Sequence, residues 1–95
     1  SNPPYVTESE KSLMKQNVLD FEPELALFVE DEDPIKYYKS ILDFTKYYIH
    51  NKGSLYIEIN DKFLEQIIIC SRDYFKNKLI FKDLKHKKRL LVFSN

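Results

Sequence analysis

The sequence opens with Ser1-Asn2-Pro3-Pro4-Tyr5, and the two consecutive prolines strongly restrict the backbone of this segment. Proline fixes its own φ at about −65° and pushes the residue before it into an extended conformation. Asn2 and Pro3 each precede a proline, so the segment is stiff before any tertiary contact forms. Because neither proline has a backbone N–H, the segment cannot continue as an ordinary central β-strand.

A stiff segment of this kind holds hydrogen-bond acceptors at fixed positions. The Pro3 carbonyl tends to stay unpaired beside the side-chain oxygen of Asn2, and two such acceptors can hold both hydrogens of a planar NH₂ group. Tyr5 offers an aromatic face that can stack on the same group. These features fit a site that holds a planar amino group and aims its nitrogen lone pair at an electrophile, where positioning can supply about 7–11 kcal/mol. The competing interpretation is a plain turn, because Asn-Pro and Pro-Pro are common in loops.

The composition bounds what else the chain can be. Its 95 residues, 43% of them hydrophobic, allow one domain with a real core. A single glycine, Gly53, excludes a glycine-rich phosphate or dinucleotide loop within these residues. One cysteine, Cys70, excludes an internal disulfide and agrees with a reducing compartment, so we expect a cytoplasmic protein. No apolar run is long enough to span a membrane, and no residues are assigned as metal ligands. Because the sequence begins with a motif and not with a methionine, we expect it to be a fragment of a longer protein.

Charge is segregated along the chain, although the formal net charge is zero. Residues 1–33 carry nine acidic and two basic side chains, or −7, and residues 71–95 carry eight basic and two acidic side chains, or +6. Such asymmetry can mark an interaction surface. We prefer the simpler interpretation, a solvated basic hairpin opposite an acidic loop, to nucleic-acid binding.

The first third of the chain after the opening motif shows no sustained hydrophobic period. Residues 6–33 therefore read as a long loop, of the kind that is usually functional or mobile in a small domain. The apolar patch within it, residues 21–29, is expected to fold back onto the core as an irregular or short extended piece.

Asp33-Pro34 predicts the start of a helix, with Asp33 as the N-cap and Pro34 at the first helical position. A helical stripe then continues to about His50 and consists of Ile35, Tyr38, Ile41, Leu42, Thr45, Tyr48 and Ile49. We expect the helix to stop at residues 51–53, with Gly53 in the left-handed conformation.

The remainder of the chain predicts three strands and a second helix. Asn60 is expected to cap a helix over residues 62–74, in which Cys70 is a small core residue. A short polar link at residues 83–88 predicts an antiparallel hairpin between the last two strands. The predicted strands lie at residues 55–59, 78–82 and 89–93. Together these elements predict half of an α/β sheet.

Taken together, the motifs resemble the C-terminal half of the HemK-type glutamine methyltransferases, which modify peptide chain release factors. Residues 1–5 look like that family's Asn-Pro-Pro-Tyr substrate motif. Residues 22–28 look like its Glu-Pro-x-Leu-Ala-Leu segment, and Leu55-Tyr56-Ile57-Glu58-Ile59-Asn60 looks like the strand that follows the next helix. Lys82-Asp83-Leu84 with Arg89 is similar to the family's final hairpin.

The resemblance implies an α/β fold, namely the C-terminal half of a Rossmann-like, seven-stranded methyltransferase fold that ends in an antiparallel hairpin. Residues 1–95 would be the part of the catalytic domain that carries the substrate motif. The methyl donor would be S-adenosylmethionine, and the target would be the side-chain amide of the glutamine in the Gly-Gly-Gln loop of a release factor.

The same resemblance assigns roles to the opening residues. Asn2 and the Pro3 carbonyl would hold the glutamine amide as the catalytic groups, and Asn2 would also lie next to the cofactor. Pro4 and Tyr5 would complete the wall of the substrate pocket. Glu58, at the end of a strand, is given only a structural role.

Three departures from the family pattern carry expectations of their own. The final turn has Lys85-His86-Lys87-Lys88 where the family often has a glycine, so its geometry is open. The family's glycine-rich cofactor loop lies upstream of the motif, so we expect residues 1–95 alone to be inactive and not to bind the cofactor measurably. The strand that should lead into Ser1 is also absent, which predicts an open edge at residues 54–59 and self-association or marginal stability.

Two other functions remain open at the level of sequence. Methyl transfer to an amino group of adenine or guanine would use the same acceptors, although the acidic residues beside the motif would repel phosphate. A small binding module without chemistry would use the basic hairpin, and Lys87 and Arg89 would then matter where Asn2 would not.

Overall fold

Two helices pack on one face of a three-stranded sheet in the computed structural model, which describes residues 1–14, 23 and 27–95. The helices are α1, Lys36–Tyr48, and α2, Leu64–Ser71. The strands are β1, Val6–Thr7; β2, Phe28–Val29; β3, Ser54–Glu58; β4, Asn77–Lys82; and β5, Lys88–Ser94. The three strands predicted in the second half of the chain are all present, within one residue of their expected bounds.

The main sheet has the order β3-β5-β4, and both neighbours run antiparallel to β5. Ile57 pairs with Leu91 and Leu55 pairs with Phe93, so these side chains share the face that the helices cover. The stripe of α1 supplies Tyr38 and Leu42 to the same core, and α2 supplies Leu64 and Ile67. The opposite face of the sheet carries Tyr56, Leu79 and Phe81, which are all exposed.

The prediction of a continuous loop over residues 6–33 is wrong at both of its described ends. Val6–Thr7 pairs parallel with Phe28–Val29, and residues 8–13 form a 3-10 helix. Two-residue strands are too short to show a period of two, which is why the sequence pattern missed them. Phe28 and Val29 are buried, as expected for a segment that folds back onto the protein, whereas residues 21, 22 and 24–26 of that patch lie outside the described residues.

The predicted N-cap of α1 is also wrong. The helix begins at Lys36 after an N-cap at Ile35 that makes no side-chain hydrogen bond. Residues 33–36 form a turn in which the Lys36 N–H donates to the Asp33 carbonyl at 3.2 Å. The Asp33 carboxylate instead pairs with Lys39 Nζ at 3.1 Å, so it is not available to the first helical N–H groups.

The helix ends at Tyr48, and Gly53 does not have the predicted left-handed conformation. Ile49 is already extended, with φ −79° and ψ 134°. Glycine is required at position 53 by space, because a Cβ there would lie 2.7 Å from Ile49 Cγ1 and 2.9 Å from the His50 carbonyl oxygen. The close approach of the chain, and not the sign of φ, therefore explains this residue.

The second helix is shorter than predicted. Asn60 caps this region as expected, since its side-chain oxygen accepts from the Lys62 N–H at 3.1 Å, but residues 61–63 form a 3-10 turn before α2. At the other end, the Phe75 N–H donates to the Ser71 carbonyl, and the chain turns so that Phe75 enters the core. Cys70 is half-buried against the same core.

The turn between β4 and β5 is built around Asp83. Its Oδ1 accepts from the backbone N–H groups of Lys85 and Lys87, at 2.8 and 3.0 Å. These bonds close the turn with His86 at a φ of 62°, in the left-handed region. His86 thus holds the conformation for which glycine has no steric cost.

Replacing His86 with glycine is expected to stabilise the chain. Relief of the left-handed strain, roughly 1–2 kcal/mol, outweighs the larger entropy that glycine gives the unfolded chain, roughly 0.4–1 kcal/mol. We expect His86→Gly to raise the free energy of unfolding by about 0.5–1 kcal/mol in urea titrations. His86→Val, which is β-branched, is the matched control and should lower it. A His86→Gly variant less stable than the parent would show that the turn is not strained.

Candidate functional site

The opening segment runs beside the free edge of β3. The Ser1 amino group donates to the Tyr56 carbonyl at 2.5 Å, and the Glu58 N–H donates to the Ser1 carbonyl at 3.0 Å. This alternation is the hydrogen-bond pattern of a parallel ladder with Ser1 opposite Ile57. The edge expected to be open is therefore occupied by Ser1 at two of its backbone groups.

Residues 2–4 lie between the ends of this segment and carry the two predicted acceptors, the Asn2 side-chain oxygen and the Pro3 carbonyl. Asn2 is exposed, Pro3 is buried and Pro4 is half-buried. Among the described residues, none donates a hydrogen bond to the Pro3 carbonyl or to the Asn2 side chain. The two acceptors that the sequence singled out thus lie next to each other in the chain and have no described donor, the Asn2 side chain on an exposed residue and the Pro3 carbonyl on a buried one.

Tyr5 is held from several directions. Its hydroxyl donates to Glu58 Oε1 at 2.6 Å, and its carbonyl accepts from Asn60 Nδ2 at 3.1 Å. The guanidinium of Arg89 lies over the ring, 5.8 Å from the centroid. Burial and the hydrogen bond to Glu58 raise the pKa of Tyr5 to about 12, so the phenol is neutral at physiological pH.

Asn60 is the buried centre of this region. Besides the Tyr5 carbonyl, its Nδ2 donates to Glu10 Oε1 at 3.0 Å, and the Thr7 hydroxyl donates to the same oxygen at 2.7 Å. Its backbone N–H donates to the Tyr38 hydroxyl at 3.3 Å. Asn60 therefore joins the opening segment, the 3-10 helix at residues 8–13 and α1 to the end of β3.

Sequence reasoning missed part of this network. It gave Asn60 only a capping role, gave Glu58 only a structural role, and assigned nothing to Glu10. One signal was present in the sequence, because Glu58 and Asn60 end a strand and stand two positions apart on it. Ligands of open α/β sheets bind outside the carboxyl ends of the strands, which is where these two residues lie.

A cavity of about 670 Å³ opens beside Tyr5 and Asn60. Its lining combines the 3-10 helix at residues 8–13, the end of β3 and the turn before β5. Its charged residues are Glu10, Asp61, Lys62, Lys87 and Arg89. Two of the basic residues proposed for a binding module, Lys87 and Arg89, therefore stand at the same cavity as Tyr5.

A second, more apolar cavity of about 430 Å³ lies on the other side of the segment, between Pro3, α1 and Leu55. Tyr37, Ile41 and Phe44 supply its helical wall. Pro3 lines this cavity and Tyr5 lines the first one, whereas Asn2 lines neither. In the described part of the chain, the four predicted site residues are contiguous but do not converge on one of these two cavities.

The chemistry available here is that of holding and orienting a ligand. Within the described ranges, no three His, Cys, Asp or Glu side chains are placed to hold a metal ion. Asn2 is exposed and could contact a cofactor, as the sequence resemblance implies. Neither described helix is long and apolar enough to cross a membrane.

Comparison with known proteins identifies the family. No protein-family model matches the chain. It is 45% identical over 93 residues, 97% of its length, to a release factor glutamine methyltransferase of Bacteroides thetaiotaomicron, of which it covers 34%. It is 40% identical over 92 residues, 96% of its length, to a protein of the same name from Flavobacterium psychrophilum, of which it covers 32%. Over nearly its whole length, the chain is similar to the C-terminal-motif region expected of release factor glutamine methyltransferases, the name both relatives carry. The family predicted from the motifs is confirmed.

The chain is also similar to part of a longer methyltransferase. The chain is 35% identical over 95 residues to a bifunctional methyltransferase of Rickettsia conorii, covering 99% of the chain and 18% of that protein. The chain spans about a third of the length of the two release factor glutamine methyltransferases. The mixed α/β structure, with its two helices on one sheet face, is consistent with a methyltransferase fold in this family.

Proposed function

We propose that residues 1–95 are the substrate-motif part of a catalytic domain that methylates the side-chain amide of a glutamine in a peptide chain release factor. The observation that carries this is the pair of available acceptors on Asn2 and Pro3, in a chain whose relatives are named for that reaction. The target glutamine would be that of the Gly-Gly-Gln loop, as the motif resemblance implies.

In this proposal, Asn2 and Pro3 orient the amide nitrogen. The side-chain oxygen of Asn2 accepts one N–H and the Pro3 carbonyl accepts the other, which fixes the plane of the amide. Both acceptors are dipoles whose negative ends face the nitrogen, so they stabilise the positive charge that grows there during transfer. S-adenosylmethionine, when bound, supplies the methyl group from a sulfonium, and Asn2 would lie beside it.

Pro4 and Tyr5 would form the wall of the substrate pocket. Pro4 carries no N–H, so it offers no donor that would compete for the acceptors. Tyr5 is a neutral phenol at physiological pH, and its raised pKa keeps it so well above that range, so its ring would present an uncharged aromatic face to the amide. A neutral wall strengthens the two acceptor contacts, because it excludes water from them.

The rest of the proposal concerns the whole protein. The described sheet would be three strands of a seven-stranded Rossmann-like sheet, and the domain would work in the cytoplasm with a release factor as its partner. Residues 1–95 by themselves would associate through the part of the β3 edge that Ser1 leaves unpaired. Sedimentation at several concentrations tests this association, and a monomer at every concentration would contradict it.

One assay tests the proposed function. The full-length protein is incubated with donor labelled on its methyl group and with a release factor, the same factor lacking its Gly-Gly-Gln glutamine, or a DNA or RNA oligonucleotide. We expect label in the intact release factor and none in the variant. Equal labelling of both factors, or label only in nucleic acid, would contradict the proposal. The nucleic-acid arm matters because adenine and guanine amino groups would satisfy the same two acceptors.

A further inference from the structure

The end of β3 holds the opening segment at both of its ends. At the first end, the Glu58 N–H donates to the Ser1 carbonyl. At the other, the Glu58 carboxylate accepts from the Tyr5 hydroxyl and the Asn60 amide donates to the Tyr5 carbonyl. Two residues more than fifty positions away in the chain, Glu58 and Asn60, thus hold the segment at both ends, and only residues 2–4 lie between the two attachment points.

We propose that Glu58 and Asn60 are positioning residues that act through Tyr5 to set the place of the Asn2 and Pro3 acceptors. This inference rests on the proposed function and deepens it. Neither residue is assigned contact with substrate or donor. Their role is to keep the acceptors at the distance that methyl transfer requires.

Pro3 and Pro4 allow a shift of Tyr5 to move the acceptors on Asn2 and Pro3. A flexible link between Tyr5 and Asn2 would absorb a shift of the tyrosine by rotating its own backbone dihedral angles. In this segment the φ angles of Pro3 and Pro4 are fixed by their rings, and the residue before each proline is restricted as well. A displacement of Tyr5 is therefore carried to the acceptors, and a misplacement of about 1 Å can cost about 100-fold in rate.

The two hydrogen bonds to Tyr5 differ in character. The bond from the hydroxyl to Glu58 is charge-assisted and 2.6 Å long, so it is the stronger one. The bond from Asn60 to the carbonyl comes from a buried amide that is fixed by Glu10 on its nitrogen and by the Lys62 N–H on its oxygen. Since every polar atom of the Asn60 side chain is engaged, its amide nitrogen cannot follow a displaced Tyr5 without losing other bonds.

The first test uses Glu58 and Tyr5 in the full-length protein. Glu58→Ala and Tyr5→Phe are each expected to lower kcat on the release factor by about 10- to 100-fold, with the donor affinity unchanged. Because both remove the same hydrogen bond, the double variant should lie within about twofold of the worse single variant. Glu58→Gln keeps an oxygen acceptor and should recover part of the loss. Glu65→Ala, on the exposed surface of α2, is the matched control.

The second test separates the hydrogen bond from Asn60 to the Tyr5 carbonyl from the Asn60 cap on the 3-10 turn at residues 61–63. Asn60→Asp retains the oxygen that accepts from Lys62 but loses the donor to the Tyr5 carbonyl, so it keeps the cap and removes the hydrogen bond to Tyr5. The new carboxylate would face Glu10, so the variant is made together with Glu10→Gln. We expect kcat to fall by about tenfold relative to Glu10→Gln alone, while the melting temperature stays close to that variant's. A kcat equal to that of Glu10→Gln would remove Asn60 from the inference.

A readout that does not depend on methyl transfer separates the proposed function from the positioning role of Glu58 and Asn60. With ¹³C-labelled tyrosine, the Tyr5 signal is the one lost in Tyr5→Phe. At about pH 10.5 it should remain that of the neutral phenol in the parent protein and move toward that of the phenolate in Glu58→Ala. If the parent methylates no release factor, the proposed function fails, and this signal still tests the hydrogen bond between Tyr5 and Glu58. If the parent is active but its Glu58 and Asn60 variants keep its kcat, the inference alone is wrong.

Discussion

Asn2→Ala in the full-length protein is expected to lower kcat for methylation of the release factor by about 10²- to 10³-fold, the cost of removing one preorganised polar group at a reacting centre. Asn2 is exposed and its side chain receives no hydrogen bond from any described residue, so the substitution breaks no hydrogen bond in the described part of the chain. The loss therefore reports the contact with the amide and not the stability of the fold. Steady-state kinetics with labelled donor measure it.

Two further variants make this result specific. Asn51→Ala removes an equally exposed asparagine in the turn after α1 and should leave kcat unchanged. Asn2→Asp keeps an oxygen acceptor at the same place and should retain more activity than Asn2→Ala. Calorimetry with the donor shows how much of the effect comes from cofactor contact. An Asn2→Ala enzyme with the parental kcat would exclude Asn2 from the site.

Phe93→Ala is expected to lower the free energy of unfolding by about 3–5 kcal/mol, the usual cost of removing a buried phenylalanine side chain. Phe93 is 1% exposed in the central strand β5, and its ring stacks on Phe75 with centroids 5.4 Å apart. Its removal opens a cavity between the sheet and the end of α2. For a domain with a total stability of roughly 5–15 kcal/mol, this is a large share.

The control for this prediction is another aromatic residue. Tyr47 on α1 is 75% exposed, and Tyr47→Ala should change the free energy of unfolding by less than about 0.5 kcal/mol. Urea titrations of residues 1–95, followed by circular dichroism, compare the variants. If Phe93→Ala lost no more stability than Tyr47→Ala, Phe93 would not be in the core.

The sequence predicted those elements whose residues interact mainly with near neighbours. The strands at 55–59, 78–82 and 89–93 were found because each combines β-branched or aromatic residues with turn signals at its ends. The Asn60 cap was found because its bond to the Lys62 N–H spans two residues. The helical stripe correctly identified the buried face of α1 at Tyr38, Leu42 and Thr45, but it was wrong at its end, where Tyr48 is 73% exposed.

The errors fall where the partner that a residue finds in the structure cannot be read from its own residue type. Asp33 has the chemistry of an N-cap, but the ion pair with Lys39 takes its carboxylate. The parallel pairing of Val6–Thr7 with Phe28–Val29 joins segments about twenty residues apart, and no local pattern records it. His86 could not be assigned a left-handed conformation from its own residue type, because the Asp83 side chain imposes it from the start of the turn.

Some features of the candidate site could be predicted from the sequence, and others depend on the fold. The stiffness of residues 2–4 and the availability of their acceptors follow from proline chemistry, which the sequence displays directly. The bracing of Tyr5 depends on Glu58, Asn60 and Arg89, which come from the end of β3 and from β5. Their approach to Tyr5 is a product of the sheet order, and the sequence alone offered only the position of Glu58 and Asn60 at a strand end.

The crowding at Gly53 bears on how this chain can evolve. A side chain at position 53 meets two obstacles, the Ile49 side chain and the His50 carbonyl oxygen. A smaller residue at position 49 would clear the first obstacle, but the second belongs to the main chain and also accepts the Gly53 N–H at 2.7 Å. A smaller side chain at position 49 alone is therefore not expected to admit another amino acid here, because the main chain at His50 would still have to move, and the passage from α1 into β3 depends on glycine.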